Sequence, residues 1–145
     1  MKSVSITALL ALSRAARSTA RAAGSPPAFF LAGDSTTAVQ STGGGGWGDG
    51  FLSFLTRHAQ GENLGHNGAT TVSFVRDGDW ADLLRLVARS RDQYDVYVTI
   101  QFGHNDQKPQ KGISLVDFQS NLEGLAKEVK DAGATPVSPP PRRNS

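Results

Sequence analysis

The feature that most constrains the fold is the stretch Phe29-Phe30-Leu31-Ala32-Gly33-Asp34-Ser35-Thr36-Thr37, in which four apolar residues run straight into a small polar turn. A short apolar run without alternation suits a strand buried on both faces. Such burial is the habit of parallel sheets, whose strands open at their C-terminal ends into a crevice. Ser35 falls at that mouth. Taken alone, Gly33-Asp34-Ser35 is equally the chemistry of any strand-to-helix turn, so one tripeptide decides nothing.

The pattern repeats along the chain. Glu62-Asn63-Leu64 predicts a short second strand, and Tyr94 to Phe102, rich in β-formers, predicts a central one. Between them lie helical periodicities. Asp49 to His58 carries Phe51, Leu52, Phe54 and Leu55 behind Asp49 as a cap, and a shorter helix is expected around Val72 to Val75. Asp79 to Ala88 places Trp80, Leu83, Leu84 and Val87 on one side. From Gly112 to Asp131 the residues Leu115, Phe118, Leu122, Leu125, Ala126 and Val129 keep the helical period, with Ser114 as cap and Gly133 as stop. Ala134 to Val137 begins another strand. Strands alternating with helices imply an α/β fold on a parallel sheet.

With 145 residues the chain is expected to form one domain with a real core. Its formal charge of +2 is misleading, because Lys2, Arg14, Arg17 and Arg21 precede the first acid, and Arg142 and Arg143 close the tail. Setting those six aside leaves nine cations against thirteen acids. The body is mildly acidic, which argues against a nucleic-acid partner. Cysteine is absent, which excludes disulfides, thiolate metal sites and a cysteine nucleophile. No apolar run approaches the ~20 residues of a membrane span, so no membrane partner is expected.

Residues 1–27 read as a targeting segment, with Lys2, the apolar stretch Ile6 to Leu12, and small residues around Ala20-Arg21-Ala22. Secretion is the favoured destination; the Arg, Ser and Ala content also suits a mitochondrial presequence. The domain is expected over 28–137. Residues 138–145 form a Pro/Arg-rich tail whose three consecutive prolines cannot continue a central strand.

Two further stretches follow Ser35 in order: Asn63-Leu64-Gly65-His66-Asn67-Gly68-Ala69-Thr70-Thr71, then Val98-Thr99-Ile100-Gln101-Phe102-Gly103-His104-Asn105-Asp106. With Gly33-Asp34-Ser35 they resemble the first three blocks of the SGNH (GDSL) hydrolases. The segment Gln101 to Lys108 resembles the rhamnogalacturonan acetylesterase branch in particular, and the likeness runs from Phe29 to Val137. It implies a three-layer flavodoxin-like fold with a central parallel sheet, C-terminally incomplete here. It also implies a serine esterase removing acetyl from pectic rhamnogalacturonan through a Ser35 acyl-enzyme, without metal or organic cofactor. A complete member is expected to be a monomer acting on acetylated polysaccharide or small esters.

By the resemblance Ser35 is the nucleophile, and its own N–H, the Gly68 N–H and the Asn105 side chain form the oxyanion hole. Glycine suits a backbone donor that must approach closely, and a neutral amide donates without adding charge. Asp34, Trp47 and His104 fall on the substrate side. Trp47 either packs under the Gly43-Gly44-Gly45-Gly46 loop or offers a platform to a sugar. That loop lacks the Gly-Lys-Ser/Thr ending of a phosphate loop. Asp34 and Asp106 are expected to hold their loops together.

The family's Asp-x-x-His block does not occur in this sequence, and none of His58, His66 and His104 matches it. His66, two residues before Gly68, is the one that could approach Ser35. The favoured explanation is a truncated or misread product that departs after Val137; a genuine short protein lacking its base is the other. Impaired turnover is expected either way. A catalytically inactive carbohydrate-binding remnant and a lipase- or thioesterase-like hydrolase stay open as alternatives.

Overall fold

A computed structural model describes residues 24–39 and 45–138. The expected targeting segment through residue 23, the stretch from Gln40 to Gly44 and the tail from Pro139 lie outside the described residues. The first apolar run forms β1 (Pro27–Gly33). It is followed by α1 (Trp47–Ser53), β2 (Gln60–Asn63), α2 (Thr71–Arg76) and α3 (Asp79–Ser90). Then come β3 (Asp95–Gln101), a short 3-10 turn (Pro109–Lys111), α4 (Leu115–Asp131) and β4 (Thr135–Val137).

All pairings are parallel and the strand order is β2-β1-β3-β4. The chain therefore steps to one side of β1 and next to the other, which creates a switch point between β1 and β3, as in flavodoxin-like sheets. The register pairs Gly33 with Gln101 and Leu31 with Asn63, so the three strands end nearly level. Their following loops share one sheet edge.

Both faces of the sheet carry helices. Ala28, Phe30 and Ala32 of β1 and Val96, Val98 and Ile100 of β3 alternate toward α2, α3 and α4, whose Phe74, Trp80, Leu83, Val87, Leu125 and Val129 complete the buried cluster. Side chains of this size each stabilise the fold by ~1.5–3 kcal/mol when fully buried, so this face is the principal core. Trp80 also donates its ring N–H to Glu128 at 2.8 Å, tying α3 to α4. On the opposite face Phe29 stacks on Tyr97 at 5.3 Å, and Phe51 of α1 meets Phe29 edge-on at 5.2 Å.

The helix ends follow local chemistry. Ser114 caps α4 as expected, its hydroxyl accepting the Asp117 N–H while the Asp117 carboxylate accepts the Ser114 N–H. Gly133 follows with φ of 85° and closes it. A similar reciprocal cap, Thr70 with Ser73, starts α2. The helix expected over Asp49 to His58 is shorter and earlier. It begins at Trp47, with Asp49 inside its first turn, and stops at Ser53. Phe54 is largely exposed and Arg57 takes a positive φ of 63°, so the apolar period there is not a buried stripe and His58 lies beyond the helix. Strand β2 likewise begins at Gln60 and ends before Leu64.

Candidate active site

The three loops at the C-terminal edge are tied together by bonds to one another and to the strand ends that carry them. After β1, Asp34 starts a tight turn, its carbonyl accepting the N–H groups of Thr37 (3.0 Å) and Ala38 (2.9 Å). Its carboxylate is folded into the same turn, with Oδ1 accepting the N–H and hydroxyl of Thr36 at 2.9 and 2.8 Å. Asp34 is 1% exposed, so its place is inside the turn and not on a surface open to substrate. Ser35, the next residue, is half-buried at the crest.

Gly33 is fixed by crowding. A Cβ there would meet Thr37 Oγ1 at 2.2 Å and the Gln101 carbonyl at 2.9 Å. The Thr37 hydroxyl in turn donates to Gln101 Oε1 at 2.7 Å, and the same oxygen takes the ring N–H of Trp47. Trp47, expected either to pack or to present a face to substrate, is anchored by that bond and rests edge-on against Phe51. It keeps 39% of its surface exposed.

The loop after β2 is stitched to the first by the His66 N–H, which donates to the Gly33 carbonyl at 3.0 Å, and by Asn63 Nδ2, which donates to the Thr37 carbonyl at 2.9 Å. Gly68 has φ of 79°, and a Cβ there would meet nothing within 4 Å. The backbone conformation by itself calls for glycine here, and no atom of the described residues crowds the position. The His66 ring turns toward the first turn of α3, with Nδ1 2.9 Å from Asp79 Oδ2.

After β3, Gly103 leads into a turn containing His104 and Asn105. His104 is exposed beside the site, while Asn105 and Asp106 are buried. Asn105 Nδ2 donates to the Ala69 carbonyl at 3.0 Å, and Lys108 Nζ donates to Asn105 Oδ1 at 2.7 Å. Asp106 Oδ1 accepts the Thr71 N–H at 2.9 Å and its hydroxyl at 2.6 Å, so it holds loops together as expected. Asn121 of α4 donates to that same hydroxyl. The turns carrying Ser35, Gly68 and Asn105 thus form one bonded unit at the β1/β3 switch point.

Sequence reasoning gave no role to Gln101, Lys108 or Thr71. A polar residue closing an otherwise apolar strand was the available signal for Gln101; nothing in periodicity marked the other two. A cavity of about 170 Å³ opens beside Gly68, lined by His66, Ser73, Arg76, Asp77 and Lys111 among others. Arg76 and Asp77 pair at 2.7 and 2.9 Å, and that hydrogen bond holds the Asp77 carboxyl below the usual carboxylate range.

Strand order and clustered polar turns define the class: a flavodoxin-like α/β protein with its crevice at the switch point. The chain belongs to the GDSL-like lipase/acylhydrolase family, whose model matches residues 31–145. It is 37% identical over 115 residues to the rhamnogalacturonan acetylesterase RhgT of Bacillus subtilis (strain 168), covering 77% of this chain and 47% of that relative. To the probable rhamnogalacturonan acetylesterase YesY of the same strain it is 30% identical over 115 residues, covering 75% and 51%. The chain spans about half the length of these curated relatives. Among solved structures, Bacillus subtilis protein YXIM is similar with a TM-score of 0.66 at 24% identity, over 78% of this chain and 32% of that one. A lipase/acylhydrolase from Enterococcus faecalis gives 0.53 at 21% identity, over 78% and 57%. Both share the fold.

Proposed function

We propose that this sequence carries the nucleophile and oxyanion half of a serine esterase that deacetylates pectic rhamnogalacturonan. The single observation that carries this is the bonded unit of three turns, in which Ser35, Gly68 and Asn105 follow adjacent parallel strands. In that reading Ser35 Oγ attacks the acetyl carbonyl, and the N–H groups of Ser35 and Gly68 and the Asn105 amide receive the developing oxyanion. The acyl-enzyme that forms on loss of the sugar alcohol is then hydrolysed. The polar lining beside Gly68 and the partly exposed Trp47 favour a carbohydrate over a fatty acyl chain. The names of the two curated relatives point to the same polymer. Export from the cell fits such a substrate.

Transfer of the Ser35 proton needs a base, and these 145 residues contain no Asp-x-x-His. The polypeptide by itself is therefore expected to keep the binding and oxyanion contribution and to lack the base-dependent factor of several orders of magnitude. The test combines acetate release from acetylated rhamnogalacturonan with labelling by a fluorophosphonate. Slow release abolished by Ser35→Ala, and label on Ser35, support the proposal. Release indifferent to Ser35→Ala refutes it, and oligosaccharide binding with no acetate release selects a binding-only role.

A further inference from the structure

Asn105 is held by a cation that has no carboxylate of its own. Lys108 Nζ sits 2.7 Å from Asn105 Oδ1, and among the described residues Lys108 enters no ion pair. The nearest acid in sequence, Asp106, turns its bonded oxygen to Thr71 instead. An ammonium cannot accept a hydrogen bond and a main-chain carbonyl cannot donate one. Lys108 on one side and the Ala69 carbonyl on the other therefore fix which atom of the amide is oxygen, and leave one Nδ2 hydrogen over. Asn105 is 3% exposed and Lys108 is half-buried, so solvent screens the lysine charge only in part there. A positive charge at the amide oxygen draws density from the nitrogen. The remaining N–H becomes a stronger donor.

We propose that Lys108 is a positioning residue that tunes the Asn105 amide toward an anionic oxygen formed at Ser35. The inference rests on reading Asn105 as an oxyanion donor. A polarised N–H gains little against a neutral ester carbonyl and much more against the charged oxygen of the tetrahedral intermediate. Its effect therefore falls on the transition state and its mimics and spares ground-state binding. Lys108 does not itself touch the reacting atoms; it acts through the amide.

Three substitutions separate charge from anchoring: Lys108→Met removes both, Lys108→Gln keeps a neutral donor, and Lys108→Arg keeps donor and charge. The first readout is the Asn105 side-chain amide in proton–nitrogen NMR spectra of the chain. Upfield movement of the Nδ2 protons in the Met and Gln variants, and retention in Arg, support the proposal. The second readout is affinity for phenylboronic acid. Its boron bonds Ser35 Oγ as the serine proton passes to solvent, giving a tetrahedral anion. Polarisation that strengthens a hydrogen bond by tens of per cent predicts roughly threefold to tenfold weaker boronate binding in Met and Gln, with Arg near wild type and a planar acetamide unaffected. Gln restoring both readouts, or Met moving neither, overturns the proposal. Boronate affinity indifferent to Ser35→Ala sinks the esterase reading instead, while the amide resonances still judge Lys108.

Discussion

Replacing Asp106 by alanine tests the joint that holds the third loop to the helices. Asp106 Oδ1 accepts two hydrogen bonds from Thr71, at 2.9 and 2.6 Å, deep in the protein. Bonds to a charged acceptor contribute about 1.5–3 kcal/mol each; because both share one oxygen, we take ~3 kcal/mol for the pair. The other oxygen, Oδ2, is buried without a hydrogen-bond partner among the described residues, and deleting it returns about 1 kcal/mol. The net destabilisation of Asp106→Ala is then ~2 kcal/mol, about a thirtyfold change in the folding equilibrium. Asp106→Asn keeps an acceptor for Thr71 and removes the charge, so it should cost half as much or less. Urea unfolding followed by tryptophan fluorescence reports both, since Trp80 is buried against Phe74 with ring centroids 6.5 Å apart. The denaturant slope should stay constant. A cost for Asp106→Ala below about 0.5 kcal/mol, or equal costs for the two variants, would refute the reasoning.

Further outcomes follow from the same geometry. Gly33→Ala forces Thr37 away from Gln101, combining overpacking with a lost buried hydroxyl bond, and should cost ~2–4 kcal/mol by thermal unfolding. Gly68→Ala meets no atom, so its cost is confined to the left-handed backbone, ~1–2 kcal/mol, and Gly68→Asn should cost less. A loss above that would reveal a packing role. For the Arg76–Asp77 pair, NMR titration should place the Asp77 midpoint below the ordinary carboxylate range, and Arg76→Gln should bring it back up. Because the folded value is depressed, the pair favours the folded state above the unfolded carboxylate pKa. That contribution disappears as pH falls through the folded value.

The sequence exposed the parts of this fold where one physical rule acts alone. The unbroken apolar run of β1, the β-formers of β3 and the long period of α4 with its Ser114 cap are local signals, and each element lies within a few residues of its expectation. The rule fails where tertiary contacts decide. In α1 the apolar residues extend past the helix, and only the structure distinguishes Phe51, packed on Phe29, from exposed Phe54. Strand β2 reads Gln60-Gly61-Glu62-Asn63, with no apolar period at all, and is defined by pairing with β1. In the candidate site, the placement of Ser35, Gly68 and Asn105 in the loops that follow β1, β2 and β3 was legible. The partners that lock those turns, Gln101, Thr71 and Lys108, were not, because their bonds depend on which side chains the sheet register brings opposite one another.

The clamp between Thr37 and Gln101 joins residues 64 positions apart. Nothing upstream of β3 can assemble the crevice, so a ribosome must release something on the order of a hundred residues before any ligand finds a place to dock. Occupancy of that crevice would thus report that this long-range closure has been made, and a small molecule bound there would act as a brake on its reopening.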